Sequence, residues 1–178
     1  MGRQGKSGAL PRGSDGGYHA GVGPSDFEEE EFWRSVARCG ARALVIGRRA
    51  VIMLGAPVVT GDFDLWIHID DSAALNAAVE HLGLYPNWTP DEARRRGRYV
   101  LENDMRVDVL VARGVPTIDG RQVLFDELWP RRQFLQPVPG VDIALPSTPD
   151  LILTKMFAAR PKDATDVAFL RVLLEKRP

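Results

Sequence analysis

The architecture of this chain follows from the stretch Val58-Val59-Thr60-Gly61-Asp62-Phe63-Asp64-Leu65-Trp66-Ile67-His68-Ile69. Its β-branched and aromatic residues predict a β-strand, which the chain enters through a Thr-Gly turn. Because side chains alternate across a strand, we expect Asp62 and Asp64 on one face, opposite to Phe63 and Leu65. The stretch therefore predicts two neighbouring carboxylates on a strand whose other face covers a hydrophobic core.

A second predicted strand supplies a third acid. In Arg106-Val107-Asp108-Val109-Leu110-Val111 the three valines share one face, and Asp108 points to the opposite face. If three carboxylates converge at about 4 Å, each pair repels by roughly 4 kcal/mol at an effective dielectric constant near 20. A divalent cation offsets this repulsion, and Mg²⁺ prefers hard oxygen ligands such as carboxylates, water and phosphate. The sequence therefore predicts a magnesium site at Asp62, Asp64 and Asp108.

Acidic residues in strands also have a simpler interpretation, as a solvated outer face or as protection of a sheet edge. An isolated Asp-x-Asp would favour that interpretation. The preceding residues, 44–55, favour the site instead, because they predict a strand, a glycine turn, a short helix and a glycine stop that lead into the acidic strand.

Three segments together resemble the nucleotidyltransferase superfamily of the DNA polymerase β type: Gly47-Arg48, Thr60-Gly61-Asp62-Phe63-Asp64 and Val107-Asp108-Val109. In that family a Gly-Ser or Gly-Gly turn precedes an Asp-x-Asp strand, and a third Asp follows on a neighbouring strand. Residues 149–167 are similar to the closing helices of small bacterial nucleotidyltransferases related to abortive-infection and toxin-antitoxin proteins. The resemblance begins near Ala43 and implies an α/β (α+β) nucleotidyltransferase fold, a mixed β-sheet flanked by helices with further helices at the C-terminal end.

The resemblance also implies a chemistry. A nucleoside triphosphate such as ATP would bind with two Mg²⁺ ions, and its nucleoside monophosphate would pass to a hydroxyl of a small molecule, an RNA end or a protein. Asp62 and Asp64 would hold the metals, while Asp108 would complete one metal site and help to deprotonate the acceptor. The nucleotide would be bound by Gly47, Arg48, Arg49, Thr60 and Lys155.

The turn departs from the family pattern, because Arg48 and Arg49 follow Gly47 where the family has a small residue. Their guanidinium groups could bind phosphate oxygens in pairs, or their bulk could close the pocket. The second alternative predicts a catalytically degenerate module that binds a nucleotide or a protein partner, as in a toxin-antitoxin pair. Lys155 likewise has two roles open to it, contact with the triphosphate or snorkelling from a helix flank.

The composition indicates one folded domain. The 178 residues are 44% hydrophobic and 26% charged, as in ordinary soluble globular proteins. Residues 1–24 are rich in glycine and predict a flexible leader, so residues 25–178 are expected to form a single domain. No apolar run approaches the roughly 20 residues that span a bilayer. The single cysteine excludes an intramolecular disulfide framework, and no signal peptide precedes the domain, so we expect a cytoplasmic protein.

The charge distribution leaves one question open. The formal net charge of −1 does not indicate strong electrostatic binding of nucleic acid, which favours a small-molecule or protein acceptor.

The basic cluster Arg94-Arg95-Arg96-Gly97-Arg98 could form a phosphate or acceptor patch near the metals, or a solvated charge run. Lys162 and Asp166 are spaced for an ordinary ion pair on a helix surface.

Patterns elsewhere predict the remaining elements. Helices are predicted between Ser25 and Gly40, from Asp71 to Gly83, after Thr89, from Ser147 to Pro161 and from Lys162 to Lys176, with a hairpin at residues 99–112 and a last strand at residues 140–145.

Overall fold

The computed structural model of the protein describes residues 26–103 and 105–176. The predicted leader, residues 1–24, and the predicted helix cap at Ser25 lie outside the described residues. Every helix within these two ranges is too short or too polar to cross a lipid bilayer.

A five-stranded mixed sheet forms the centre of the fold, with the strand order β1-β2-β5-β4-β3. Its strands are β1 (Ala43–Val45), β2 (Phe63–Ile67), β3 (Tyr85–Pro86), β4 (Arg98–Glu102) and β5 (Arg106–Val111). The central pair, β2 and β5, is parallel, and the other neighbours are antiparallel. The predicted mixed sheet and the predicted β4–β5 hairpin are thus confirmed.

Helices flank this sheet, as predicted for the α/β fold class. Their bounds are α1 (Asp26–Arg38), α2 (Gly47–Met53), α3 (Ser72–Val79), α4 (Pro90–Arg96), α5 (Phe125–Leu128), α6 (Thr148–Lys155) and α7 (Pro161–Glu175), with 3₁₀ turns at Glu80–Leu82 and Trp129–Arg131. The start of α4 has the predicted capping box, because Thr89 and Glu92 bond reciprocally to each other's backbone amides.

Two smaller antiparallel hairpins complete the described chain. β6 (Gly114–Pro116) pairs with β7 (Gln122–Leu124), and β8 (Gln133–Val138) pairs with β9 (Val141–Leu145). Only β9 was expected from the sequence. The other three strands are short or alternate polar residues and prolines, so their hydrophobic pattern is weak.

Strand β2 is covered on both faces, and this determines where a site can open. Phe63, Leu65 and Ile67 lie in the larger core, which also contains Phe32 and Trp33 of α1. On the opposite face, Trp66 is fully buried in a second core that includes residues of β1, β7 and α5. At the N-terminal end of that face Asp64 is only partly buried, so the polar site lies at this end.

Candidate active site

The turn between β1 and α2 lies directly against Asp64. The backbone amide of Ile46 donates a hydrogen bond to the Asp64 carbonyl at 2.9 Å. Gly47 has a φ of +68°, and a Cβ at this position would lie 2.0 Å from Oδ2 of Asp64. Glycine is therefore required at position 47 for two reasons: the backbone is left-handed, and the Asp64 carboxylate approaches too closely for a Cβ.

The carboxylates of Asp64 and Asp108 lie on adjacent parallel strands at the same register position. Neighbouring strands are about 4.8 Å apart, and register partners in a sheet point to the same face. Both residues line one cleft. Asp62 precedes β2 and is exposed, and its backbone amide is held by the Thr60 hydroxyl at 3.1 Å. The three predicted acids are therefore brought to one end of the sheet.

Electrostatics support this proximity. Burial raises the pKa of Asp64 above its ordinary value, and the negative charges of Asp108 and Asp62 raise it further. The positive charges of Lys155 and Arg160 lower the pKa of Asp64. A carboxyl group in this environment is costly to ionise unless a cation approaches it.

Each of the two exposed acids has a basic partner in this structure. Arg106 Nη2 donates to Asp108 Oδ1 at 3.1 Å, and Lys162 Nζ lies 3.8 Å from Asp62 Oδ2. Within residues 26–103 and 105–176, no three His, Cys, Asp or Glu side chains are gathered closely enough to hold a metal ion as they stand. The side chains of Asp62 and Asp108 are 63% and 50% exposed, however, and exposed side chains change rotamer rapidly.

The donor set fits Mg²⁺. It consists of carboxylate oxygens, which are the ligands this ion prefers, and one of the carboxylates has a pKa that a neighbouring cation would lower. Asp62, Asp64 and Asp108 are the residues that would hold the ion.

The cleft beside these acids has a volume of about 540 Å³. This size lies in the range of ordinary small-molecule sites, roughly 300–1,000 Å³. Its polar lining combines both signs of charge, from Asp64, Asp108, Arg98, Arg106 and Arg160. Trp88 and Asn87 line the same cleft.

The two arginines of the turn have structural partners. Arg48 Nη2 donates to the Lys162 carbonyl at 2.8 Å, and its Nε lies 3.3 Å from Asp166 Oδ1. Arg49 pairs with Glu29 at 2.9 Å and lies over the Phe63 ring, 3.9 Å from its centroid. The structure thus places Arg48 between α2 and α7, and Arg49 between α2 and α1.

Lys155 lies in a buried ionic cluster at the junction of α6 and α7. Only 4% of Lys155 is exposed, and its Nζ is 2.7 Å from Asp166 Oδ2 and 3.7 Å from Asp163 Oδ1. Burial alone would raise the pKa of Asp163, but hydrogen bonds from Arg160 and the charge of Lys155 hold that pKa below its ordinary value. Lys155 is thus held by two buried carboxylates.

Sequence reasoning missed several cleft residues. Arg106 is two residues before Asp108 on β5, so the alternation that placed Asp108 also places Arg106 on its face. Arg98 belongs to the basic cluster, and the structure separates it from its neighbours because Arg94, Arg95 and Arg96 end α4 whereas Arg98 begins β4. Arg160 and Trp88 carried no signal that connects them to the acids.

No protein-family model matches the sequence, and the comparison with curated proteins also finds no match. Solved structures of the antibiotic-resistance factor ANT(2″)-Ia are similar to this chain. The solution structure has a TM-score of 0.57 and 16% identity, and the similarity covers 83% of each chain. The crystal structure in complex with adenylyl-2″-tobramycin has a TM-score of 0.55 and 17% identity, over 81% of this chain and 86% of that one.

At such low identity the similarity concerns the fold. This chain therefore has the fold of the small nucleotidyltransferases.

Proposed function

We propose that this chain is a magnesium-dependent nucleotidyltransferase that moves a nucleoside monophosphate from a triphosphate to a hydroxyl of an acceptor. The observation that supports it best is the pair Asp64 and Asp108, which share a register position and line one cleft next to the glycine turn. The fold alone would not support an activity, because one fold hosts many functions.

The three acids have different environments, and we expect them to have different roles. Asp64 is the least exposed of the three, and Asp62 and Asp108 flank it from the preceding turn and the neighbouring strand. Bound Mg²⁺ would stabilise the charge on the attacking and leaving oxygens. Asp108, which is exposed on the cleft, is the residue we propose to accept the proton of the acceptor hydroxyl.

The remaining residues position this centre. Gly47 leaves room for the Asp64 carboxylate, and the Thr60 hydroxyl holds the backbone at Asp62. Arg160 lines the cleft with its guanidinium tied to Asp163, so a cation is held beside the acids. Arg48, Arg49 and Lys155 remain proposed phosphate contacts, and in this structure each is engaged with a carboxylate.

ATP is the first donor to test, because a structurally similar protein is solved with an adenylylated product. Purified protein with Mg²⁺ and α-labelled ATP would be incubated with an acceptor panel that includes tobramycin, RNA with a free 3′ end and cell proteins. We expect labelled product with the wild type and a loss of at least about 100-fold in Asp64→Asn. Asp142→Asn is the matched control, since Asp142 is exposed on β9 and does not line the cleft. If no labelled product formed with any donor and acceptor, the proposal would be wrong.

A second candidate function is a nucleotide-binding or partner-binding module without catalysis, in a toxin-antitoxin pair for example. It is favoured by the ionic engagements of Arg48 and Arg49 and by the pairing of Asp108 with Arg106. Calorimetry with ATP and Mg²⁺ separates the two, because a module binds nucleotide without releasing pyrophosphate. Because nucleotidyl transfer requires nucleoside triphosphates, we propose a cytoplasmic location.

A further inference from the structure

We propose that the acceptor carries phosphate and that Arg98 is the residue that binds it, an inference that rests on the proposed nucleotidyl transfer. Three arginines line the cleft, but two of them are already engaged with acids. Arg106 pairs with Asp108 and Glu102, and Arg160 pairs with Asp163. Among the described residues, no carboxylate lies within ion-pair distance of Arg98. Its positive charge is therefore available to a ligand.

The position of Arg98 relates it to the acid that would deprotonate the acceptor. Arg98 is the first residue of β4 and the register partner of Leu110 on β5, two residues after Asp108. Register partners point to the same face of a sheet, and so do residues i and i+2 of one strand. Arg98 and Asp108 are thus diagonal neighbours on the cleft face, with a typical separation of about 7–8 Å. A guanidinium at this position can hold an acceptor whose hydroxyl meets Asp108.

The surroundings of Arg98 are also basic and aromatic. The guanidinium of Arg96 lies 3.8 Å from the centroid of the Trp88 ring, and Trp88 lines the cleft. Arg95 and Arg96 are exposed in the last turn of α4, immediately before β4. Within this segment Trp88 and Arg98 line the cleft, and Arg96 is connected to it through the Trp88 ring.

Local charge outweighs net charge at this site. The chain as a whole has a formal charge of −1, but charges beyond a Debye length of about 8 Å are largely screened at physiological salt. The lining of the cleft has three arginines and two aspartates. A phosphate group can accept two parallel hydrogen bonds from the guanidinium of Arg98, the cleft arginine for which no ion pair is seen among the described residues.

The proposal is tested first by binding, without nucleotide donor or metal. Quenching of tryptophan fluorescence would be titrated with inorganic phosphate, a nucleoside monophosphate and a short single-stranded RNA. We expect Arg98→Gln to weaken phosphate binding about tenfold. The matched control is Arg171→Gln, which removes an exposed guanidinium from α7, and it should bind as the wild type does. Equal affinity of both variants would overturn the proposal.

Transfer assays then separate this inference from the proposed function. In Arg98→Gln we expect the KM for a phosphate-bearing acceptor to rise about tenfold while the KM for ATP changes less than twofold. The monophosphate and RNA arms show whether a free nucleotide or an RNA end is the acceptor. Preference for a polycationic aminosugar would overturn the inference and leave nucleotidyl transfer intact. Loss of phosphate binding in Arg98→Gln without transfer by the wild type would support the anion site and overturn the proposed activity.

Discussion

Asp64 and Asp108 occupy the same register position on two parallel strands, and the negative charge of Asp108 raises the pKa of Asp64. The backbone pairing of β2 and β5 thus imposes an electrostatic cost on the site. That coupling can be measured without any substrate.

Removing one acid should lower the pKa of the other. We expect Asp108→Asn to bring the pKa of Asp64 closer to its ordinary value, because a like charge next to it has been removed. Carboxyl ¹³C NMR titration reports this pKa directly. Asp142→Asn should leave the pKa of Asp64 unchanged, and an unchanged value in Asp108→Asn would contradict the geometry.

The site should also reduce stability at neutral pH. A carboxyl group whose folded pKa is raised above its unfolded value makes folding less favourable as the pH rises through that folded pKa. We therefore expect Asp64→Asn to raise the Tm at pH 7, by about 2 °C or more, and to change it little near pH 3. Calorimetry at the two pH values gives the comparison. A lower Tm at pH 7 would show that Asp64 stabilises the fold instead.

Gly47→Ala should reduce transfer and metal affinity by more than the strain of its left-handed backbone explains. A left-handed φ costs roughly 1–2 kcal/mol for a non-glycine residue, and Gly47 and Gly55 both have positive φ at the two ends of α2. Only at Gly47 would a Cβ collide with the Asp64 carboxylate, since a Cβ at Gly55 meets nothing within 4 Å. Both alanine variants should lose stability in urea unfolding, while transfer and metal affinity should fall only in Gly47→Ala. If transfer and metal affinity fell equally in both variants, glycine would be required at position 47 for its backbone conformation and not for the contact with the Asp64 carboxylate.

Lys155→Met should destabilise the protein by about 3–5 kcal/mol, because it leaves Asp166 buried without its closest cation. Lys176→Met, at the exposed end of α7, should change the free energy of unfolding by less than about 0.5 kcal/mol. In the double variant Lys155→Met with Asp166→Asn, stability should partly recover. Urea denaturation measures all three. A stable Lys155→Met that loses only ATP affinity would assign Lys155 to the triphosphate.

The sequence was most informative where one periodicity extended through a whole element. In β5 the alternation of Val107, Val109 and Val111 with Asp108 appears unchanged as buried and exposed positions. The glycine turn before α2 was equally visible, since few residues other than glycine adopt its backbone. These local rules predicted the faces of Asp64 and Asp108, whereas the expectation that their strands are neighbours came from the family resemblance, and the structure pairs the two strands.

Tertiary packing explains what the sequence did not reveal. The helix from Ser147 was expected to reach Pro161, but α6 ends at Lys155, and Pro161 is the first residue of α7. The predicted pairing of Lys162 with Asp166 is also wrong. Asp166 is buried and pairs with Lys155 and Arg48, while Lys162 lies near Asp62. A carboxylate taken out of water binds the cations buried with it, which helix spacing alone does not predict.

Arg48 connects the glycine turn to α7 through Asp166 and the Lys162 carbonyl. A shortened version of the protein that stops before Pro161 would retain every proposed metal ligand, yet Arg48 and Lys155 would lose their counter-ions. A split version should therefore keep α7 in the same fragment as α2, because a cut within the exposed 118–121 turn would remove both contacts of Arg48 with α7 if the fragments did not reassemble.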